Sequence, residues 1–471
     1  MEIPVDTIAA MARARRLLPL FLFLGCLTLL QRALSAAGDD ERFIVAVVGD
    51  GLTGRDPSPE EWGTPIWLGA LRAYEKSPSL NGQNRLDKIV ELQERDDKGP
   101  DSNAEKVARE LQANPRVLAV IGHATSGKTI KAAWLYEQFG IPLIAPAATS
   151  PNIMCAPEDP PGIQKYLSVL FRRSHCEDPK LGHRLNNVFR LPPSDHKAQA
   201  PAVATMVERL AAPAAKLYLL DDERESTAGY CKPLMGAIRT LLDKTSYAVT
   251  LKTLLPNAPD DLDQLARGIQ STDPAGVIVC TFNDTAKPLL KALQRAYSKV
   301  AFPQRPFLLL TDGSMDRNLD ATGFRLFLTF PTKGIQNYKI YSQRGGSAKG
   351  AEDQNTDYQQ LRSLVDDRRK KGYDESFETY GYDAMLILGE VARQCQKKGQ
   401  LGRSCMLQTL KEDRDLTGVT EAYTFEEGEH LAGYYVFAAD GLNGQKPKLQ
   451  YDEFLDITKA EIMRQLRQLQ E

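Results

Sequence analysis

The chain has 471 residues, 42% of them hydrophobic and 25% charged, with 59 Lys and Arg against 61 Asp and Glu. Acidic and basic residues are mixed along it, which excludes the basic stripe that nucleic-acid binding requires. The length is great for a single core and natural for two domains of ordinary size.

At the N-terminus ARARR (Ala12 to Arg16) precedes an apolar run, Leu17 to Leu30, and then the small residues Ser35, Ala36 and Ala37. The run is shorter than the ~20 residues that span a bilayer, and a small-x-small site follows it. Residues 1–37 therefore read as a secretory signal peptide, with Met11 as an alternative start and release to the periplasm expected. Arg15-Arg16 also admits a twin-arginine reading, and Cys26, closing FLGC, a lipoprotein reading. No second long apolar segment follows, so the mature chain is expected to be soluble.

From residue 41 strand-like and helical patterns alternate. FIVAVVGD is a strand, Thr64 to Lys76 a helix, IVELQERD a strand, and SNAEKVARELQAN a helix with a capping serine. RVLAVI, a helix after GHATSGKT, and IPLIAP follow. The pattern restarts at NVFRLPP: a helix over HKAQAPAVATMVERLAA, KLYLL, a helix near Pro233 to Asp243, YAVTLKTLL, DDLDQLARGIQS, GVIVC, TAKPLLKALQRAY and FLLLTD. FRLFLTFP leads to a polar loop, Thr332 to Asp357, then the helices DYQQLRSLVDDRRKK and FETYGYDAMLILGEVARQC, the β-like runs EAYTF and GYYVFA, and a tail helix from Phe454 to Leu469. This alternation predicts an α/β fold of two doubly wound, Rossmann-like units with a ligand cleft at the carboxyl ends of their strands.

GHATSGKT (Gly122 to Thr129) matches G-x-x-x-x-G-K-[ST], the phosphate-cradling loop of nucleotide hydrolases, and sits between a strand and a helix as that loop does. Asp221 and Asp222, ending KLYLLDD, could be proposed as its metal-binding acidic strand. Export argues the other way, since there is little ATP outside the cytoplasm and thiols tend to be oxidised there. Six cysteines survive signal removal. Their positions suggest Cys155 with Cys176 and Cys395 with Cys405 as local staples, with Cys280 a buried thiol in GVIVC. Unpaired thiols are the alternative.

VIGHATSGKTIKAAWLYEQFGIPLIAPAATSP resembles the type I periplasmic binding proteins, in the leucine/isoleucine/valine-binding branch. So do AVVGDGLTG, WGTPIWLGALRA, FETYGYDAMLILGEVA and TGVTEAYTFEEGEHLAGYYVF, in that order, so that the resemblance covers roughly residues 42–442. It implies a first lobe of residues 41–192 plus 331–430, a second of 193–330 plus 431–450, and an added C-terminal helix, 452–471. In that family the loop after the third strand holds a ligand carboxylate through a serine and the helix N-terminus, so the P-loop spelling needs no nucleotide.

Carried over residue by residue, the resemblance places Ser126, Thr149 and the backbone of Ala147 on the ligand carboxylate and Trp62 against its side chain. Phe282 falls where the family has a tyrosine, and Asp312 where it has the glutamate that pairs with the α-amino group. Ser226 takes the place of a ligand-contacting tyrosine, with Tyr230 as the alternative, and Lys128 adds a cation near the anion site.

The five histidines lack metal-ligand spacing and no G-x-S-x-G elbow occurs, so no catalysis, metal or cofactor is expected; His123 reads as structural. The implied function is capture of a small molecule, an amino acid, for an ABC permease, with no nucleotide or nucleic acid involved. The rival is a ligand sensor of the same fold that signals to a partner protein, for which the tail helix with Ile462, Met463, Leu466 and Leu469 near one face is the motive.

Overall fold

The computed structural model describes residues 42–51, 63–76, 86–157, 181–254, 259–314, 319–320, 323–331, 376–413, 416–418, 422–430, 434–440, 450–451, 457 and 459–470. The signal segment, the loop expected from Thr332 to Asp357, the helix expected over DYQQLRSLVDDRRKK, Trp62 and Cys176 lie outside them.

The first sheet is assembled from β1 (Phe43–Gly49), β2 (Val90–Asp96), β3 (Val117–Ile121), β4 (Leu143–Ala145) and, beyond a small antiparallel pair β5 (Cys155–Pro157) and β6 (Leu181–Arg184), β7 (Val188–Arg190). Its order is β2-β1-β3-β4-β7, with β1, β3, β4 and β7 paired in parallel. Strands such as VLAVI are buried along their whole length, as a sheet covered on both faces requires. The covering helices are α1 (Gly63–Lys76), the short α2 (Leu86–Ile89), α3 (Ser102–Ala113) and α4 (Ser126–Gln138). In α3 the buried residues Ala104, Val107, Ala108 and Leu111 follow the i, i+3, i+4, i+7 stripe of an amphipathic helix. Its cap position is Asp101, whose side chain makes no capping bond; Ser102, expected as the cap, is already helical.

The second half runs α5 (Ala200–Leu210), β8 (Lys216–Asp222), α6 (Glu225–Asp243), β9 (Ala248–Leu254), α7 (Pro259–Thr272), β10 (Gly276–Cys280), α8 (Asn283–Ala296), β11 (Phe307–Leu310) and β12 (Arg325–Phe330). The five strands β9, β8, β10, β11 and β12 are parallel neighbours. After α9 (Ser376–Lys397), α10 (Arg403–Glu412) and the pair β13 (Leu416–Thr417) and β14 (Ala422–Tyr423), the chain returns to this sheet. There β15 (Tyr435–Asp440) and β16 (Gln450–Tyr451) add antiparallel at the β12 edge. Residues from Ile44 onward form one compact unit, so both sheets belong to one body. α9 comes back onto α1: a Cβ on Gly69 would lie 2.0 Å from the Glu378 carbonyl oxygen, and one on Gly381 would lie 2.2 Å from that of Ile66. Only glycine at both places lets the two backbones approach so closely.

Three expectations change. The helix expected near Pro233 begins eight residues earlier, at Glu225, and carries Pro233 inside it. Proline marks helix starts because its missing N–H costs nothing there, a rule this helix overrides through packing. Cys280 is buried, but it is bonded to Cys231 of α6 rather than a free thiol. Cys395 and Cys405 are bonded as expected. Cys155 is disulfide-bonded as well, and its expected partner, Cys176, lies outside the described residues.

The tail helix α11 (Lys459–Gln470) also differs from the free amphipathic helix that a docking role needs. Ile462 is fully buried in the core beneath the second sheet, Leu466 packs against the same core, and Arg464 and Gln465 bond Glu208 of α5. Met463 remains exposed. Ile462→Ala should therefore cost roughly 2 to 5 kcal/mol in urea unfolding, as for other fully buried aliphatic side chains. A loss below about 0.5 kcal/mol, the range of surface substitutions, contradicts this placement.

Candidate functional site

The carboxyl ends of the two sheets face a cleft open to solvent. From the first sheet Ala124, Thr125, Ser126, Ala147 and Thr149 line it, with Phe377 of α9; from the second come Tyr230, Phe282, Asp312 and Gly313. A roomier hollow runs beside β7, where Arg184 pairs with Glu427 and Glu429. The smaller cleft is the one on which the strand ends of both sheets converge.

Five of the seven residues expected at a site thus meet in one cleft: Ser126, Ala147, Thr149, Phe282 and Asp312. Trp62 lies outside the described residues; the Ser226 backbone sits in the first turn of α6, and its side chain is outside them too. Tyr230, its alternative, lines the cleft. It does so because α6 starts early enough to make Tyr230 helical.

One pole of the cleft offers donors. Ser126 opens α4, so the first N–H groups of that helix have no acceptor within it and point toward the cleft end. Thr125, not Ser126, holds the cap position, and it makes no side-chain capping bond, which leaves the Ser126 hydroxyl to accept from the Ser150 N–H at 3.3 Å. The next turn is capped by Ser150 rather than Thr149. Behind Thr149 the buried guanidinium of Arg190 donates to the Thr149 and Ser150 carbonyls at 2.9 and 2.8 Å, fixing their loop. Arg190 is held in turn by Glu429 at 2.8 Å, and Lys197 reaches the same carboxylate. Burial pushes Glu429 up, yet the charges of Arg190, Lys197 and Arg184 hold its pKa at about 2. Arg190 was not foreseen from sequence, since nothing in FRLPP marks a buried cation.

The other pole is acidic. Asp312, 2% exposed, accepts from the Tyr230 hydroxyl, and the Tyr434 hydroxyl lies 3.4 Å from its other oxygen. That is more than a turn aspartate does. Burial pushes its pKa up to about 6, against hydrogen bonds that favour the charged form. Beside it stands Asp195, 0% exposed, whose backbone N–H bonds the Thr149 carbonyl at 3.0 Å. Among the described residues, neither Asp195 oxygen has a hydrogen-bond partner. Burial and the charge on Asp312 push its pKa up, and the Arg190 charge opposes this without offsetting it. In sequence Asp195 looks like a helix-start residue after two prolines, and only the fold reveals it as a buried carboxylate whose oxygens no cation hydrogen-bonds among the described residues.

The P-loop letters are all in use elsewhere. Gly127 leaves room for Asp101, whose Oδ2 would lie 2.3 Å from an added Cβ, and faces Gly229 of α6, where a Cβ would come within 3.0 Å of the Gly127 Cα. The Thr129 hydroxyl donates to the Thr125 carbonyl at 2.8 Å. Lys128 does not add a cation to the cleft: its Nζ bonds Asp97 at 3.1 Å, and the other Asp97 oxygen lies 2.6 Å from His123 Nδ1. His123 is buried between Asp97 and Tyr136, a structural position. Burial pushes Asp97 up, but His123 and Lys128 outweigh it and leave its pKa below the ordinary value. Asp222, at the end of β8, lies in the other sheet from this loop and is occupied by Arg224 and Thr281.

Residues 69–441 match the family model described as the receptor family ligand binding region, and the chain belongs to that family. An amino acid binding protein of Pseudomonas aeruginosa is 30% identical over 112 residues, which are 22% of this chain and 29% of that relative, so the chain matches less than a third of its length. Among solved structures, a leucine binding protein of Thermotoga maritima superposes with a TM-score of 0.61 at 17% identity, covering 88% of this chain and 99% of that one. A solute-binding protein of an ABC transporter from R. palustris, in complex with 4-hydroxybenzoate, has a TM-score of 0.61 at 14% identity, covering 88% and 96%. The fold is that of the type I periplasmic binding proteins: two α/β units with a cleft between them. The family is a ligand-binding one rather than a catalytic one. Among the described residues no helix is long and apolar enough to cross a membrane.

With Lys128 paired inside the first half, Lys128→Met leaves a buried carboxylate short of a cation. It should cost roughly 3 kcal/mol or more in chemical unfolding. A loss under about 1 kcal/mol, the range of an exposed pair, contradicts the assignment.

Proposed function

We propose that the protein is an exported solute-binding protein whose lobes, 41–192 plus 331–430 and 193–330 plus 431–450, close on a free amino acid and present it to an ABC importer in the membrane. The observation that carries the amino-acid reading is the pair Asp195 and Asp312, fully buried beside one another with two oxygens unpartnered, opposite a pole of hydroxyl and helix N-terminal donors. A zwitterion supplies what both poles lack: an ammonium for the two aspartates, and a carboxylate for Ser126, Thr149 and the start of α4. Tyr230, Phe282 and Phe377 give the rest of the ligand an aromatic wall. With Lys128 and Arg190 held elsewhere, no lysine or arginine among the described residues lines the cleft to pair with a second carboxylate on the ligand.

Amino acids named for the Pseudomonas and Thermotoga relatives agree with this reading, while 4-hydroxybenzoate in the R. palustris protein marks how far ligands vary on this fold. The tail helix gives a signalling role no separate support, because Ile462 and Leu466 are spent on the second sheet's core.

The test is a thermal-shift screen of residues 38–471 against the amino acids, with small organic acids as controls, followed by calorimetry. Stabilisation is about 4 kcal/mol at a thousandfold excess over Kd, so a true ligand stands out. Asp312→Ala should weaken binding by roughly 2 to 5 kcal/mol, more than tenfold. In the parent the ammonium needs the ionised form of Asp312, whose pKa is about 6, so affinity should rise with pH through that value and level off above it. Unchanged affinity in the variant, or flat affinity from pH 5 to 7, sinks the reading.

A further inference from the structure

We infer that the Cys231–Cys280 disulfide is a positioning element of the ligand site, one that holds the aromatic and acidic groups on the second sheet's side of the cleft and so sets affinity as well as stability. The inference rests on the amino-acid reading of the cleft.

Cys231 directly follows Tyr230 on α6, and Cys280 ends β10 two residues before Phe282. The bond therefore joins the two chain segments that supply the wall, at a Cα separation of 5.4 Å, and both half-cystines are fully buried. The rings of Tyr230 and Phe282 stack with centroids 6.1 Å apart and planes 12° from parallel. The Tyr230 hydroxyl donates to Asp312 and accepts from the Gly313 N–H at 3.3 Å. Gly313 closes the unit: an added Cβ would meet Tyr230 at 2.8 Å, Phe282 at 3.0 Å and the Thr281 carbonyl at 3.0 Å.

Tyr230, Phe282 and Asp312 with Gly313 are thus one tightly fitted group, and both aromatic members lie within two residues of the same covalent link. Besides the Thr227 hydroxyl, which donates to the Asp222 carbonyl at 2.9 Å in the first turn, this helix meets its sheet through apolar packing among residues such as Leu234, Ile238, Leu219 and Ile278, which resists separation but fixes orientation less sharply. A small rotation of α6 about its axis carries the Tyr230 hydroxyl off Asp312. A bond one residue away restrains that rotation more directly than one further along the helix. Cys395–Cys405 provides an internal comparison, because it joins α9 to α10 across a separation of 10 residues with no cleft residue beside either cysteine.

The experiment compares the full exported chain with Cys231→Ala/Cys280→Ala and with Cys395→Ala/Cys405→Ala. Calorimetry with L-leucine as the probe measures affinity, and amide exchange without ligand measures local opening. Both variants are expected to melt at lower temperature than the parent. Only the first should bind leucine at least tenfold more weakly, and only it should exchange faster at Tyr230, Phe282 and Gly313. If the alanine pair fails to fold, Cys231→Val/Cys280→Ala restores core volume and is measured in its place. Unchanged exchange at those three residues, or leucine affinity within twofold of the parent, overturns the inference. A parent that ignores leucine speaks against the amino-acid reading for that probe alone, and the exchange comparison then decides the positioning role by itself.

Discussion

Among the described residues no lysine or arginine hydrogen-bonds Asp195 or Asp312, two carboxylates taken out of water; the nearby Arg190 charge is spent on two carbonyls and Glu429, and the rest of the cleft is arranged around the unmet charge. Two like charges at close range in a buried site cannot both ionise cheaply, so at least one retains its proton until a cation arrives. The tyrosine hydroxyls of Tyr230 and Tyr434 keep Asp312 oriented meanwhile. A ligand ammonium relieves the repulsion and replaces lost hydration at once, so its binding free energy comes from the site itself rather than from the size of the interface.

Because Asp312 follows a strand of the second sheet while Ser126 and Thr149 follow strands of the first, one ligand touching both poles bridges the two halves. Such a ligand favours whichever arrangement brings the halves together, by its differential affinity for that arrangement. The meeting of Gly127 and Gly229, backbone against backbone, is what lets α4 and α6 come close enough for this. Arg190 works from behind, tying the Thr149 and Ser150 carbonyls to Glu429 so that the donor pole keeps its shape.

The order of elements was legible because alternating strand and helix periods leave few topologies, and the convergence of Ser126, Ala147 and Thr149 on one cleft was legible through the family resemblance of the segment that holds them. What sequence concealed were partnerships between distant residues. Lys128 completes a motif in the letters, but only the fold shows its ammonium 31 positions back on Asp97. Cys280 sits in an apolar run that suits a buried thiol, and its bond to Cys231 spans 49 positions. Asp195 at a helix start and Arg190 at a strand end read as unremarkable because burial is not a local property. The start of α6 was misplaced for the opposite reason: a local rule, proline at helix starts, was weaker than the packing of α6 on its sheet.

The central claim, that the acidic pole exists to hold an ammonium, is tested most directly with two molecules of one carbon skeleton. Calorimetry at pH 7 compares the amino acid that binds with the carboxylic acid identical to it but lacking the amino group. The account predicts that the amino acid binds at least about thirtyfold more tightly, the loss expected when buried charges are left unpaired. Equal affinities, or tighter binding of the acid without the amine, would contradict it.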